Sequence, residues 1–254
     1  MDRFDELVGI VARLRGDGGC PWDRAQTPET MRPYVLEEAY EVLDAIDRGD
    51  PSDLRKELGD LLFQVVMLAR MAEEAGRFTL DDVLEHITTK MVRRHPHVFD
   101  PDHVPTGEEG QIVAWEARKA RERGPDRSAL DGVPLALPAL LRAHRISEKA
   151  GRVGFDWPDA PSVRKKVAEE LAELDEAMAE GDPGAVGEEL GDLLFTLVNL
   201  GRHLPVGAEE ALRAATGKFE RRFRRLERAL ADEGRTVHDT DPDTLEARWQ
   251  ALKD

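Results

Sequence analysis

Cysteine is nearly absent: Cys20 stands alone in 254 residues, so no intramolecular disulfide framework can brace the fold, and a reducing compartment suits the chain. No apolar run is long enough to cross a bilayer, which excludes a membrane-spanning role. The opening stretch, MDRFDELVGIVARLRG, lacks the basic start and continuous apolar core of a secretory signal. A cytoplasmic location is the expectation. Basic residues are also outnumbered, 36 Lys and Arg against 52 Asp and Glu, and the net charge of −16 repels nucleic acid at long range. The same charge leaves a role with small anions open, because carboxylates recruit divalent cations and the cations can bridge to phosphate.

The period-two alternation of Val, Ile and Thr that marks strands is rare as well. Apolar residues instead recur at i, i+3 and i+4, which predicts an all-α fold with helices near 29–48, 52–75, 80–94, 108–122, 136–150, 162–180, 184–203, 207–232 and 242–252. The sequence then repeats itself. LEEAYEVLDAIDRGDPSDLRKELGDLLF (36–63) aligns without a gap on AEELAELDEAMAEGDPGAVGEELGDLLF (168–195). Farther on, Lys90, Arg93 and Arg94 are echoed by Lys218, Arg221 and Arg222, and WEARK (115–119) by WQALK (249–253). Order is kept throughout, so a helical unit has been duplicated. RGPDRSALDGVPLALP (123–138), rich in turn formers, is the expected linker between modules at 1–122 and 139–254.

Each unit holds the tripeptide Gly-Asp-Pro, at 49–51 and 181–183. Glycine ends a helix, aspartate caps the next and proline fits its first position, so two antiparallel helices are expected. Counting outward from Asp182, Glu173 comes level with Glu189, and Glu170 with Asp192, each pair within about 3 Å at ~1.5 Å rise per residue. On each helix the acids are three apart and share a face. Glu170, Glu173, Glu189 and Asp192 can therefore converge, and Glu38, Glu41, Glu57 and Asp60 do so by the same count. Taken alone, EExxE is usually a solvated helix face. The second pattern is stronger, because it sets Asp60 and Asp192 inside Leu-Leu-Phe runs, where acids rarely stand without a partner. Four uncompensated carboxylates repel one another, and a hard divalent cation, Mg²⁺ with Mn²⁺ as an alternative, removes that cost.

Handling phosphate also needs fixed cations. Lys218 and Arg222 share a helix face beside Arg221, and Trp249 with Lys253 forms an i, i+4 pair in which an indole could shelve a base or sugar. Exposed salt bridges are the plainer reading of KFERRFRRLER, and only the echo in the first half raises it above that. Asn199, on the face of Asp192, replaces Met67 of the first unit and could hydrogen-bond a phosphate, a sugar or water. His95 and His97 flank a proline and read as a turn, and Cys20 reads as packing.

CPWDRAQTPETMRPYVLEEAYEVLDAI, ELGDLLFQVV and RRHPHVF together resemble the MazG nucleoside triphosphate pyrophosphohydrolases in their long two-domain form, from about residue 4 onward. The resemblance implies tandem all-α modules related to the all-α dUTP pyrophosphatases, with antiparallel hairpins forming a four-helix-bundle-like body in a homodimer or higher assembly. It implies Mg²⁺-dependent hydrolysis of nucleoside triphosphates between the α and β phosphates, giving monophosphate and pyrophosphate. The family's metal pattern carries over onto Glu170, Glu173, Glu189 and Asp192, with an intact second set at Glu38, Glu41, Glu57 and Asp60. Its nucleotide-binding positions fall on Lys218, Arg222, Trp249 and Lys253. The resemblance favours the C-terminal module as the main catalytic one, with Glu169 or Glu173 as proton acceptor. A non-catalytic nucleotide sensor built on the same cluster is the alternative, and an orthophosphate-releasing phosphatase is the nearest rival enzyme.

Overall fold

The structure is a computed structural model that describes residues 3–100, 107, 128–204 and 206–252. The described residues contain no strand. The chain divides into two compact units, Met1–Trp115 and Glu116–Asp254. The helix expected at 108–122 lies outside the described residues, as do Trp115, Lys119 and Lys253.

The first unit comprises α1 (Arg3–Arg15), α2 (Pro21–Ala25), α3 (Pro28–Arg48), α4 (Pro51–Glu74), α5 (Leu80–Arg94) and the single turn α6 (Pro96–Phe99). The periodicity anticipates α3, α4 and α5 closely. It omits α1, which is nonetheless amphipathic, and α2, which is too short to show a period. Helices α3 and α4 form the expected antiparallel hairpin, and α1 packs on α4. Val11, Met31, Val66, Met67 and Met71 make the core, with Phe4, Tyr34 and Phe63 closing its edges. Arg15, its side chain only 8% exposed, ties three segments together. It pairs with Glu74 at 2.7 Å and donates to the carbonyls of Asp23 at 2.6 Å and Gln26 at 3.2 Å. Cys20 is half-buried at the start of α2, more open than a packing role predicts.

The second unit comprises α7 (Ala139–Gly151), α8 (Ala160–Glu180), α9 (Pro183–His203), α10 (Ala208–Ala231) and α11 (Pro242–Ala251), with a 3-10 turn at Val237–Asp239. Helices α8 and α9 repeat the hairpin. Helix α7 packs on α9, and α10 packs on α7, α9 and α11. Val163, Ala177, Val198, Leu226 and Leu230 are buried.

Both hairpin turns follow the capping logic of Gly-Asp-Pro. Gly49 and Gly181 take the left-handed conformation, φ 71° and 74°, that closes a helix at no steric cost. Asp50 and Asp182 then accept from the backbone N–H of Ser52 and Gly184, and the proline opens the next helix. No helix among the described residues is long and apolar enough to cross a membrane.

Candidate metal centre

The two hairpins carry matching acidic groups. In the first unit α3 supplies Glu38 and Glu41 and α4 supplies Glu57, with one carboxylate oxygen of each lying within 4.8 Å of the others. In the second unit α8 supplies Glu170 and Glu173 and α9 supplies Glu189, within the same limit. Each cluster is thus a trio. Asp60 and Asp192, expected as fourth members, are exposed and stand outside that mutual distance, yet their charges reach in: Asp60 acts on Glu38 and Asp192 on Glu189.

Glu57 and Glu170 are the buried members, each 5% exposed. Burial, then the charge of Asp60, raises the carboxyl of Glu38 above the ordinary range despite a hydrogen bond from Gln64. Burial, then Glu57, raises Glu41; burial, then Glu173 and Asp192, raises Glu189. In each case like charge from neighbouring carboxylates adds to the cost of burial. Glu38 Oε2 and Glu57 Oε2 are moreover buried with no hydrogen-bond partner, a costly state for a carboxylate. An all-oxygen donor set with orphaned lone pairs fits a hard divalent cation.

Two lysines that the sequence reading passes over touch the clusters. Lys56 pairs with Glu57 at 3.1 Å. Lys166, one turn ahead of the second trio on α8, lies 2.5 Å from Glu169, 2.9 Å from Glu170 and 3.8 Å from Glu173. Its hydrogen bonds to Glu169 and Glu170 hold its ammonium well above the usual lysine range. The i, i+4 spacing of Lys166 and Glu170 was the signal that could have revealed it.

The remaining described candidates stand on α10 and α11. Lys218 and Arg221 are exposed on α10. Arg222 turns to α11, where its guanidinium stacks 3.8 Å from the centre of the Trp249 ring and donates to the Trp249 carbonyl. Phe219 lies 5.0 Å from the same indole, and the aromatic group borders an apolar recess with Phe223, Pro242 and Leu245.

Asn199 is a different matter. It is fully buried, and its Nδ2 donates to the Phe195 carbonyl at 3.1 Å. The side chain lies in the packed interior, as Met67 does in the first unit, and its Oδ1 accepts from Arg202 at 3.5 Å. Nearby, Arg202 and His203 at the end of α9 clasp Asp156 of the loop between α7 and α8, a junction that no local pattern announces. His95 stands at the break between α5 and α6, and His97 lies in the single turn α6 that the proline opens.

A duplicated all-helical scaffold that presents carboxylate trios from antiparallel helices defines a class of metal-dependent helical modules. The model of the MazG nucleotide pyrophosphohydrolase domain matches residues 26–99 and 160–226, and the chain belongs to that family. Both matched segments contain an acidic hairpin. The nucleoside triphosphate pyrophosphohydrolase of Escherichia coli (strain K12) is 48% identical, covering 100% of this chain and 98% of its own length. The nucleoside triphosphate pyrophosphohydrolase/pyrophosphatase MazG of Thermotoga maritima is 44% identical, covering 98% of this chain and 95% of its own length.

Proposed function

We propose that the chain hydrolyses nucleoside triphosphates to nucleoside monophosphate and pyrophosphate with Mg²⁺, Mn²⁺ being able to replace it, as a cytoplasmic enzyme of nucleotide-pool control. One observation carries this reading: each unit gathers three carboxylates from two antiparallel helices, crowding like charge in one place. The names of the full-length relatives supply the substrate class.

Glu170, Glu173 and Glu189, with Asp192 at the rim, would hold the ion in the second unit; Glu38, Glu41, Glu57 and Asp60 form the corresponding set. The bound ion would polarise phosphate oxygens and acidify water. Glu173, whose side chain is 45% exposed, or Glu169 beside it, accepts the proton from the attacking water. Lys218, Arg221 and Lys253 counter the charge of the leaving pyrophosphate, while the Arg222–Trp249 stack offers a face to the base or sugar. We assign principal turnover to the second module, 139–254, as the resemblance to the two-domain family favours. The first module, 1–122, is joined to it through 123–138 and acts as the weaker or regulatory site.

Incubation with a nucleotide panel and Mg²⁺ should release monophosphate and pyrophosphate. Asp192→Asn should lower turnover by about a hundredfold, the upper range even for partners just outside a metal's ligand shell. Orthophosphate as the first product would replace this reading with a phosphatase. Loss of turnover in Asp60→Asn with Asp192→Asn unaffected would reverse the order of the two sites.

A further inference from the structure

The two acidic clusters are not equivalent, and the difference is a cation. In the second unit Lys166 lies 2.9 Å from Glu170 and 3.8 Å from Glu173, two of the three trio members, and also 2.5 Å from Glu169. Its side chain is 32% exposed, so the ammonium sits partly inside the cluster. Extending the gapless alignment of the two units places Tyr34 at the matching position of the first, and Tyr34 is packed against the core. Among the described residues the first cluster is paired by Lys56, 70% exposed and in contact with Glu57, where the second unit has Glu188. Glu38 Oε2 and Glu57 Oε2 are left without a partner, whereas no carboxylate oxygen of the second trio is so orphaned.

We propose that Lys166 is a built-in counterion that competes with the divalent metal for the second carboxylate trio, so that the two modules load metal with different affinities. The inference rests on the metal-dependent reading above and concerns a positioning residue, not a ligand. The physical reason is geometric as well as electrostatic. Mg²⁺ demands near-octahedral oxygens at about 2.0–2.1 Å, and an ammonium already bonded to Glu170 occupies a lone pair and adds like charge beside the ion. Metal entry therefore requires the lysine arm to swing outward. That motion is open to it, because Lys166 has a flexible stem and a solvent-facing side. The first trio has an ammonium contact of its own, Lys56 on Glu57 at 3.1 Å, but that lysine is 70% exposed and holds one trio member rather than two, so this trio takes metal at lower concentration.

The test uses full-length protein carrying Glu57→Gln to disable the first cluster, with Mn²⁺ binding followed by electron paramagnetic resonance and helix content by circular dichroism. Lys166→Met should tighten Mn²⁺ binding at the second cluster about fivefold, a size set by partly exposed ion pairs. Lys166→Arg, which keeps the charge, should stay within about twofold of the parent. An unchanged or weaker Mn²⁺ affinity in Lys166→Met overturns the inference, as does a variant that alters only KM for the nucleotide. Absence of Mn²⁺ binding when the second cluster is intact overturns the metal-dependent reading itself, and the two failures are thereby distinguished.

Discussion

Charge compensation is decided one residue at a time, and this chain shows three solutions. The acidic trios crowd like charge within the fold, and burial first, then the neighbouring carboxylates, raises the carboxyls of Glu38, Glu41 and Glu189. Glu74 is instead paired by the buried Arg15 and also by Arg70, and is held below the usual carboxylate range, first by the Arg15 hydrogen bond. Asp156 is the third case. Arg202 first, then His203, bonds its carboxylate and lowers its pKa. A group held below its unfolded value contributes stability that is complete above that value, about 3.9, and lost as pH falls through the folded value. Asp156→Asn should thus cost about 1.5 kcal/mol at pH 6, and the gap from the parent in urea titrations should close below about pH 4. A gap that persists undiminished at low pH would show that the junction acts through packing alone.

At the scale of helices, the hairpin turn sets everything the clusters need. Glu170, Glu173 and Glu189 come level only if α8 stops at Gly181 and α9 starts two residues later. At φ 74° a β-carbon is strained, so Gly181→Ala should destabilise the second unit by about 1–2 kcal/mol. Gly187 lies inside α9 with nothing within 4 Å of an added β-carbon. There the same substitution should stabilise by up to about 1 kcal/mol, since alanine loses less backbone entropy in a helix. Thermal melts of the pair give opposite signs if capping governs the turn, and equal signs would discard that account. This logic was legible in the sequence because caps are local: Gly-Asp-Pro names its own conformation. The trio itself was legible for the same reason, once two helices were known to fold back. Asp192 was placed less well, because level positions on two helices do not specify which side of the hairpin a short carboxylate reaches.

Across the whole molecule, apolar residues remain on the surface in a repeated arrangement. Leu58 and Leu62 on α4 are 50% and 40% exposed, and their counterparts Leu190 and Leu194 on α9 are 46% and 45% exposed. Phe195 and Leu197 extend the second face. Such contiguous apolar surface on a soluble-type helix hairpin calls for a cover. We propose that hairpins pair into a four-helix-bundle-like body in a homodimer or higher assembly. Leu194→Glu should then reduce the sedimenting mass of the protein, with helix content retained. A parent chain that sediments as a monomer at all concentrations would remove the proposal.

Sequence alone determined the all-α class, the duplicated hairpin and the identities of the clustered acids, because helical period, caps and repeat spacing act over short distances along the chain. It also linked Arg222 and Trp249 to one proposed site, but not to each other. Only the tertiary structure decided that Arg222 stacks on Trp249, that Asn199 faces the interior, that Asp156 is clasped from α9, and that Tyr34 packs into the core of the first unit. Those outcomes depend on how one helix face meets another, and a three-dimensional packing competition leaves no period in the chain.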